Sequence, residues 1–159
     1  MSDYTVPTIG FAVAVVRNKE GKYLAVLETD DRGWWLPAGK VDRGEDSFPK
    51  AAIRETKEEA GIDVAIKGIL RIERTPHGNF ARMRVIYYCE PIDDHQPSVA
   101  DEESVLARWV TIEEYRQLGL REGLRSSELL DWGQYLDNGG IIYPTSIFTW
   151  ENAPLPKKQ

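Results

Sequence analysis

The sequence predicts an α/β/α sandwich, in which a mixed central sheet lies between helical layers. Apolar segments typical of strands lie before and after one well-capped helix, and two further helical segments follow near the C-terminal end. The chain has 159 residues, of which 42% are hydrophobic, enough for one domain with a complete core. We therefore expect a single domain over residues 1–159, with residues 139–159 forming a C-terminal tail that packs on the body.

The first part of the chain contains short apolar segments separated by turns. Thr8–Arg17 is predicted as a buried strand, and Tyr23–Glu28 as its partner in a hairpin. Trp34–Leu36 is a short apolar segment that we expect to end at Pro37 and Gly39.

A helix is predicted over Ser47–Ala60. Ser47 can cap its first turn, and Pro49 falls where proline is tolerated. Gly61 follows where a helix end favours a positive φ angle.

The second part of the chain is predicted to hold three strands and two helices. The strands and helices are Val64–Arg74, Arg82–Glu90, Arg108–Val110, Thr111–Leu118 and Ser126–Leu136, with a polar loop over Pro91–Glu103.

Composition excludes several classes of protein. The formal net charge of −6 disfavours binding to long nucleic acid, which depends on basic residues. We expect no membrane association, because the apolar runs are short, and Met1–Pro7 has no features of a signal peptide. Cys89 is the only cysteine, so no internal disulfide can form, and a cytoplasmic location is expected.

The predicted helix presents a concentrated acidic face. Glu55, Glu58 and Glu59 stand at i, i+3 and i+4, and Arg54 is a basic neighbour that can pair with Glu58. Such a face favours a hard cation with oxygen ligands. A merely solvated acidic face is the alternative interpretation.

Two segments together resemble the signature of the Nudix hydrolase family, which reads Gly-x5-Glu-x7-Arg-Glu-U-x-Glu-Glu-x-Gly-U, with U apolar. Gly39 to Glu45 matches the opening, and Arg54 to Ile62 matches the close, with Thr56 in an apolar position. Eight residues instead of seven separate Glu45 from Arg54. Either Glu45 keeps its role, which we favour, or Asp46 replaces it.

The resemblance implies a Nudix fold and a set of site residues. Glu55, Glu58 and Glu59 would bind Mg²⁺ or Mn²⁺, and Arg54 would orient a helix carboxylate. Gly39 would serve the turn at the metal site.

Family members often recruit one more carboxylate from a late loop. Asp101, Glu102 and Glu103 are the candidates here. We favour Glu103 as metal ligand or base, because its spacing before Arg108–Val110 resembles that of the family's glutamate.

Four further residues are candidates for substrate binding. One of Trp34 and Trp35 is expected to face the core, and the other could stack on a base. Arg82 and Arg84 share one face of a strand and could contact phosphates or base edges, or could be ordinary surface charge. Cys89 is interpreted as a core thiol, and His77 and His95 as surface residues.

The resemblance implies metal-dependent hydrolysis of a pyrophosphate bond in a small nucleotide, such as an oxidised guanine nucleoside di- or triphosphate. Dinucleoside polyphosphates, ADP-ribose, nucleotide sugars and RNA 5′ ends remain open as substrates. A diphosphate isomerase, which would need a catalytic cysteine, and a non-catalytic nucleotide-binding module are the competing functions. The apolar tail could pack on its own chain or across a homodimer.

Overall fold

The computed structural model describes residues 5–45, 47–98 and 104–158. Within these ranges, seven strands and three helices follow one another. They are β1 Thr8–Val16, β2 Tyr23–Glu28, β3 Gly33–Trp35, β4 Ala38–Lys40, α1 Phe48–Ala60, β5 Val64–Pro76, β6 Ala81–Pro91, β7 Ser104–Val110, α2 Ile112–Glu122 and α3 Glu128–Asp137. A short 3-10 helix, Thr145–Ile147, lies in the tail.

The strands form two sheets, whereas the sequence predicted one central sheet. The first has the order β4-β1-β6-β5 and is mixed, because β1 and β6 run parallel while the other pairs are antiparallel. The second has the order β3-β2-β7 and is antiparallel. The predicted α/β sandwich with a mixed sheet is confirmed, and the division into two sheets is a correction to it.

The predicted hairpin between β1 and β2 is wrong. A single bridge joins Arg17 to Tyr23, and the two strands then enter different sheets. Most of each strand is buried, so its backbone groups need a neighbouring strand on both edges. β1 pairs with β4 and β6, whereas β2 pairs with β3 and β7.

Two more elements differ from the sequence prediction. The turn expected at Gly39 is instead the short strand β4, Ala38–Lys40, which pairs with β1. Helix α2 runs about one turn past Leu118, because Gly119 lies inside the helix and Gly123 ends it.

The core has two parts, one on each face of the sheets. The first packs α1 against β1, β2 and β6 through the buried residues Ala51, Ala52, Ala14, Val26 and Val85. The second packs α2 and α3 against the opposite faces through Val13, Ala25, Tyr115, Leu118 and Leu129. Helical layers therefore cover both sides of the strands.

The tail contacts the body of the same chain. The backbone of Tyr143 exchanges two hydrogen bonds with that of Ile69, at 2.8 and 2.9 Å. Phe148 packs edge-on against Phe48, the first residue of α1, with ring centroids 5.1 Å apart. Among the helices of the described ranges, none is both long and apolar enough to cross a bilayer.

Candidate active site

Helix α1 begins and ends as the sequence predicts. The Ser47 hydroxyl accepts a hydrogen bond from the Lys50 backbone N–H at 3.3 Å. Gly61 ends the helix with φ at +70°, a conformation that favours glycine. These signals fix the register of the helix and therefore the face on which its glutamates lie.

The three glutamates of this face differ in exposure. Glu55 and Glu59 are buried, at 9% and 5% exposure, while the side chain of Glu58 is 47% exposed. Buried carboxylates require polar partners. The partners come from Arg54 and from strand β4.

Arg54 connects the acidic residues of the site. Its guanidinium donates to Glu45 at 2.9 and 3.0 Å, to Glu55 at 2.9 Å and to Glu58 at 3.1 Å. Asp42 lies 3.3 Å from the same group. The hydrogen bond to Glu45 is the main reason why the pKa of Arg54 is raised. In return, Arg54 holds the pKa of the Glu45 carboxyl below its ordinary value.

This arrangement gives Glu45 a defined position in the site. Both of its carboxylate oxygens pair with Arg54, and one also accepts the Asp42 backbone N–H at 2.7 Å. Asp46, the alternative for this position, lies outside the described residues.

The outer edge of β4 is bonded to α1. The Ala38 backbone N–H donates to Glu59 at 3.2 Å, and the Lys40 carbonyl accepts from Arg54 at 2.9 Å. β4 is an edge strand, so these bonds satisfy backbone groups that no strand in the described part of the chain reaches. The acidic face of α1 therefore lies directly beside this edge.

Gly39 allows the close approach of β4 to Glu55. A side chain built at Gly39 would place its Cβ within 2.7 Å of both carboxylate oxygens of Glu55. Because the φ angle of Gly39 is not positive, space and not backbone strain requires glycine here.

The late loop starts against the end of α1. The Ser98 backbone N–H donates to the Ala60 carbonyl at 2.7 Å, and the Ser98 side chain lies against Gly61. Asp101, Glu102 and Glu103, the carboxylates predicted to serve the site, lie outside the described residues.

The donor set fits a hard divalent cation in its chemistry. Glu55, Glu58 and Glu59 offer only carboxylate oxygens, the ligands that Mg²⁺ and Mn²⁺ prefer. Within the described ranges, however, no three acidic, histidine or cysteine side chains form a ready-made metal cage. Arg54 lies among the carboxylates of Glu45, Glu55 and Glu58, while Glu59 turns to the edge of β4.

The structure buries both tryptophans, so neither ring is exposed for the base stacking that one of them could have offered. Trp34 is fully buried and donates its indole N–H to Glu122 at 2.8 Å. Trp35 is 6% exposed, and the Arg125 guanidinium lies 4.2 Å above its ring centroid. The connection between α2 and α3 covers β3, because Trp34 exchanges backbone hydrogen bonds with Gly123 and Arg125.

The two arginines of β6 differ in their partners. Arg84 is 13% exposed and forms ion pairs with Glu73 and Glu128. Burial opposes the ionisation of Glu128, but Arg84 holds its pKa below the ordinary value. Arg82 instead lies over the Phe11 ring, with its Cζ 4.5 Å from the centroid.

The remaining candidates lie where the sequence predicts. His77 and His95 are exposed, and Cys89 is fully buried. Burial raises the pKa of the Cys89 thiol.

Sequence reasoning missed several groups around the site. The ion pairs Glu28–Arg125 and Arg84–Glu128 join residues 97 and 44 positions apart, so no local pattern identifies them. The hydrogen bond from the Ala38 N–H to Glu59 was also missed, although the position of Ala38 directly before Gly39 places it at the predicted site.

Comparisons with known proteins identify the family of this chain. A family model described as the NUDIX domain matches residues 7–132. Nudix hydrolase 10 of Arabidopsis thaliana is 41% identical over 78 residues, which are 49% of this chain and 27% of that protein. The mouse asymmetrical bis(5′-nucleosyl)-tetraphosphatase is 34% identical over 89 residues, covering 54% of this chain and 60% of that enzyme.

A solved structure of a NUDIX hydrolase from Nitrosomonas europaea superimposes with a TM-score of 0.72 at 22% identity, covering 92% of this chain and 99% of that one. The match with four of the curated relatives spans only 27% to 36% of their length. The family model nevertheless covers most of this chain, including β4 and the acidic helix. The chain belongs to the Nudix family.

Proposed function

We propose that this protein hydrolyses a pyrophosphate bond in a nucleoside di- or triphosphate derivative, with Mg²⁺ or Mn²⁺ held by Glu55, Glu58 and Glu59. The observation that supports this most is the set of carboxylates that Arg54 and β4 hold in fixed positions beside Gly39. Burying carboxylates at a sheet edge costs free energy, because they are removed from water. A purely structural site does not need such carboxylates, so their presence favours a functional role.

The chain's own residues have distinct tasks in this reaction. Arg54 orients Glu55 and Glu58, and the Ala38 N–H orients Glu59. A bound cation would neutralise phosphate charge and lower the pKa of water. The water oxygen gives a proton to the carboxylate base and forms a bond to phosphorus, the bridging P–O bond breaks, and the departing phosphate keeps the electron pair.

A panel of substrates tests the proposal. Nucleoside triphosphates, an oxidised guanine nucleotide, a dinucleoside tetraphosphate, ADP-ribose, a nucleotide sugar and a capped RNA 5′ end are incubated with Mg²⁺ or Mn²⁺, and the products are identified. We expect hydrolysis that stops in EDTA and returns with metal. Binding without hydrolysis across the panel would favour a non-catalytic module instead.

Two variants test the metal ligands. Glu58→Gln and Glu59→Gln should each lower kcat by about a hundredfold or more, because a lost ligand removes charge stabilisation in the transition state. Glu114→Gln on α2 is the matched control, since Glu114 is exposed and on another helix. Near-normal turnover in both site variants would refute the metal assignment.

We also propose Glu103 as the base or as a further metal ligand. Glu103→Gln should lower kcat strongly with KM within a few-fold, while Glu102→Gln and Asp101→Asn should have little effect. If Glu103 is the base, the rate should fall on the acid side as its carboxylate protonates. Wild-type kcat in all three variants would move the base to Glu55 or Glu58.

The dinucleoside polyphosphates are the second candidate substrates, because the mouse relative is named as an asymmetrical tetraphosphatase. The diphosphate isomerase reaction has no support here. It would need an accessible cysteine, and Cys89 is fully buried.

A further inference from the structure

Most of the apolar side chains in residues 139–156 of the tail face solvent. In the described ranges, half of the exposed large apolar side chains belong to this segment. They are Ile141, Ile142, Tyr143, Ile147, Trp150 and Leu155. Glu151 is the only charged residue in the segment. A large apolar patch of low charge density is typical of the centre of a protein–protein interface.

The tail is fixed to its own chain at three places. The Tyr135 hydroxyl donates a hydrogen bond to the Ile141 carbonyl at 2.6 Å. The contacts with β5 and with the first residue of α1, described above, hold the tail farther along. These contacts leave Trp150 72% exposed. A partner that binds the exposed side chains therefore loses little free energy in ordering the tail, because the tail already has a defined position.

An apolar groove lies beside these exposed side chains. It has a volume of about 490 Å³, and its walls come from β5, α3 and the tail. The residues that form it include Arg71, Ile72, Trp132, Tyr135, Tyr143 and Ile147. The Arg71 guanidinium lies 5.0 Å from the Trp132 ring centroid, and the Trp132 and Tyr135 rings meet edge to face at 5.3 Å. Trp, Tyr and Arg are the residue types that contribute most of the binding free energy at protein interfaces.

The exposed face is complementary to itself. Trp150 follows Ile147, a residue of the groove, by three positions, so their Cα atoms lie within about 11 Å of each other. The groove volume is in the range that holds a small organic molecule, so an indole ring fits inside it. A protruding ring and a groove on one face allow two copies related by a twofold axis to insert into each other. The exposed apolar side chains together offer an area on the order of 800 Å², which is about what each partner buries in a stable dimer.

We infer that a second copy of this chain docks on this face, with Trp150 of each copy inserted into the groove of the other. A phospholipid surface fits the face less well, because segments that lie on membranes combine an amphipathic helix with basic residues. In the described part of the tail, the only helical element is the three-residue Thr145–Ile147. The dimer is independent of the proposed function, since the groove and Trp150 are not part of the acidic face of α1.

Sedimentation velocity of the full chain at increasing concentration tests the dimer. The wild type should dimerise with a Kd of about 10 μM or lower, as expected for an interface of this size. Trp150→Ala should raise the Kd at least about thirtyfold, because it removes a large aromatic anchor. Leu120→Ala is the matched control, since Leu120 is 77% exposed but lies on α2, and its Kd should equal that of wild type. The thermal unfolding of both variants, measured at concentrations where all are monomers, should match wild type.

Mixing two variants tests the insertion of Trp150 into the groove. Ile72→Lys places a charge in the groove, at a side chain that is exposed in the single copy, and should also abolish the homodimer. A mixed dimer of Trp150→Ala with Ile72→Lys keeps one intact contact, in which Trp150 of the second variant enters the unaltered groove of the first. The mixture should therefore dimerise at a concentration where each variant alone is a monomer.

Four results would overturn the dimer as described. The first is a wild-type chain that remains monomeric above about 100 μM. The second is a dimer that persists in Trp150→Ala, which would place the interface elsewhere. The third is a mixture of Trp150→Ala and Ile72→Lys that stays monomeric, because Trp150 would then not enter the groove of the other copy. The fourth is a monomer that binds phosphatidylcholine vesicles through Trp150, which would make the tail a lipid-binding surface instead.

Discussion

Replacing Gly39 with alanine should disable the site while leaving the fold intact. The new Cβ would lie within 2.7 Å of both carboxylate oxygens of Glu55, whereas ordinary contact begins near 3.4 Å. The Glu55 carboxylate is the far end of a flexible side chain, so it would shift away from the new Cβ and lose its 2.9 Å hydrogen bond to Arg54. Misplacing a catalytic group by about 1 Å can cost about a hundredfold in rate, and we expect a loss of that size in kcat.

The stability of Gly39→Ala should change little. Alanine in place of glycine stabilises by about 0.4–1 kcal/mol through the unfolded chain, and the lost hydrogen bond costs about 0.5–1.5 kcal/mol. The free energy of unfolding should therefore stay within about 1 kcal/mol of wild type in urea denaturation. The assay follows kcat on the best substrate of the panel and Mn²⁺ affinity by electron paramagnetic resonance.

Gly78→Ala is the control with the opposite expected result. Gly78 has φ at +77° in an exposed turn with no neighbour near its Cβ, so alanine should cost about 1 kcal/mol or more of stability and leave turnover unchanged. If Gly39→Ala keeps wild-type kcat and Mn²⁺ affinity, the placement of Glu55 beside Gly39 does not matter to the reaction, and our reasoning is refuted.

Three more predictions concern stability and reactivity. Arg54 lowers the pKa of Glu45, so their ion pair stabilises the folded state fully when the pH is above the unfolded-state pKa of the carboxyl. This stabilisation is lost as the pH falls through the folded-state pKa. Glu45→Gln should therefore lower the free energy of unfolding, measured by urea denaturation, by about 1–3 kcal/mol at pH 7 and by much less at pH 3. An equal loss at both pH values would contradict this prediction. Cys89 should not react with a thiol reagent until the protein unfolds, because it is buried and its pKa is raised; rapid labelling of the native protein would show otherwise. Phe148→Ala should lower the free energy of unfolding by about 2 kcal/mol, because the contact with Phe48 is lost, and Phe148→Leu should recover part of this free energy. An unchanged midpoint of urea denaturation would mean that the contact does not stabilise the fold.

Local signals explain which parts of the fold could be predicted. Ser47 and Gly61 set the ends of α1 through hydrogen bonds and φ angles that depend only on adjacent residues. The register of Glu55, Glu58 and Glu59 follows from the helix alone. The acidic face of the candidate site was therefore available from the sequence.

The errors arose where distant segments decide the structure. A turn between β1 and β2 looks like a hairpin locally, yet the long parallel pairing of β1 with β6 takes its place. The burial of Trp35 depends on Arg125, and the neutralisation of Arg84 depends on Glu128, which are both far along the chain. The sequence presents Arg82 and Arg84 as equivalent, and the ion pairs of Arg84 with Glu73 on β5 and Glu128 on α3 distinguish them.

The hydrogen bond from the Ala38 N–H to Glu59 makes one backbone amide a reporter on helix α1. A cation that draws the Glu59 carboxylate toward itself must weaken this bond. The amide of Ala38 should then shift in a nitrogen–proton correlation spectrum and exchange with solvent faster. Metal occupancy could in this way be followed at a single labelled position, without substrate and without turnover.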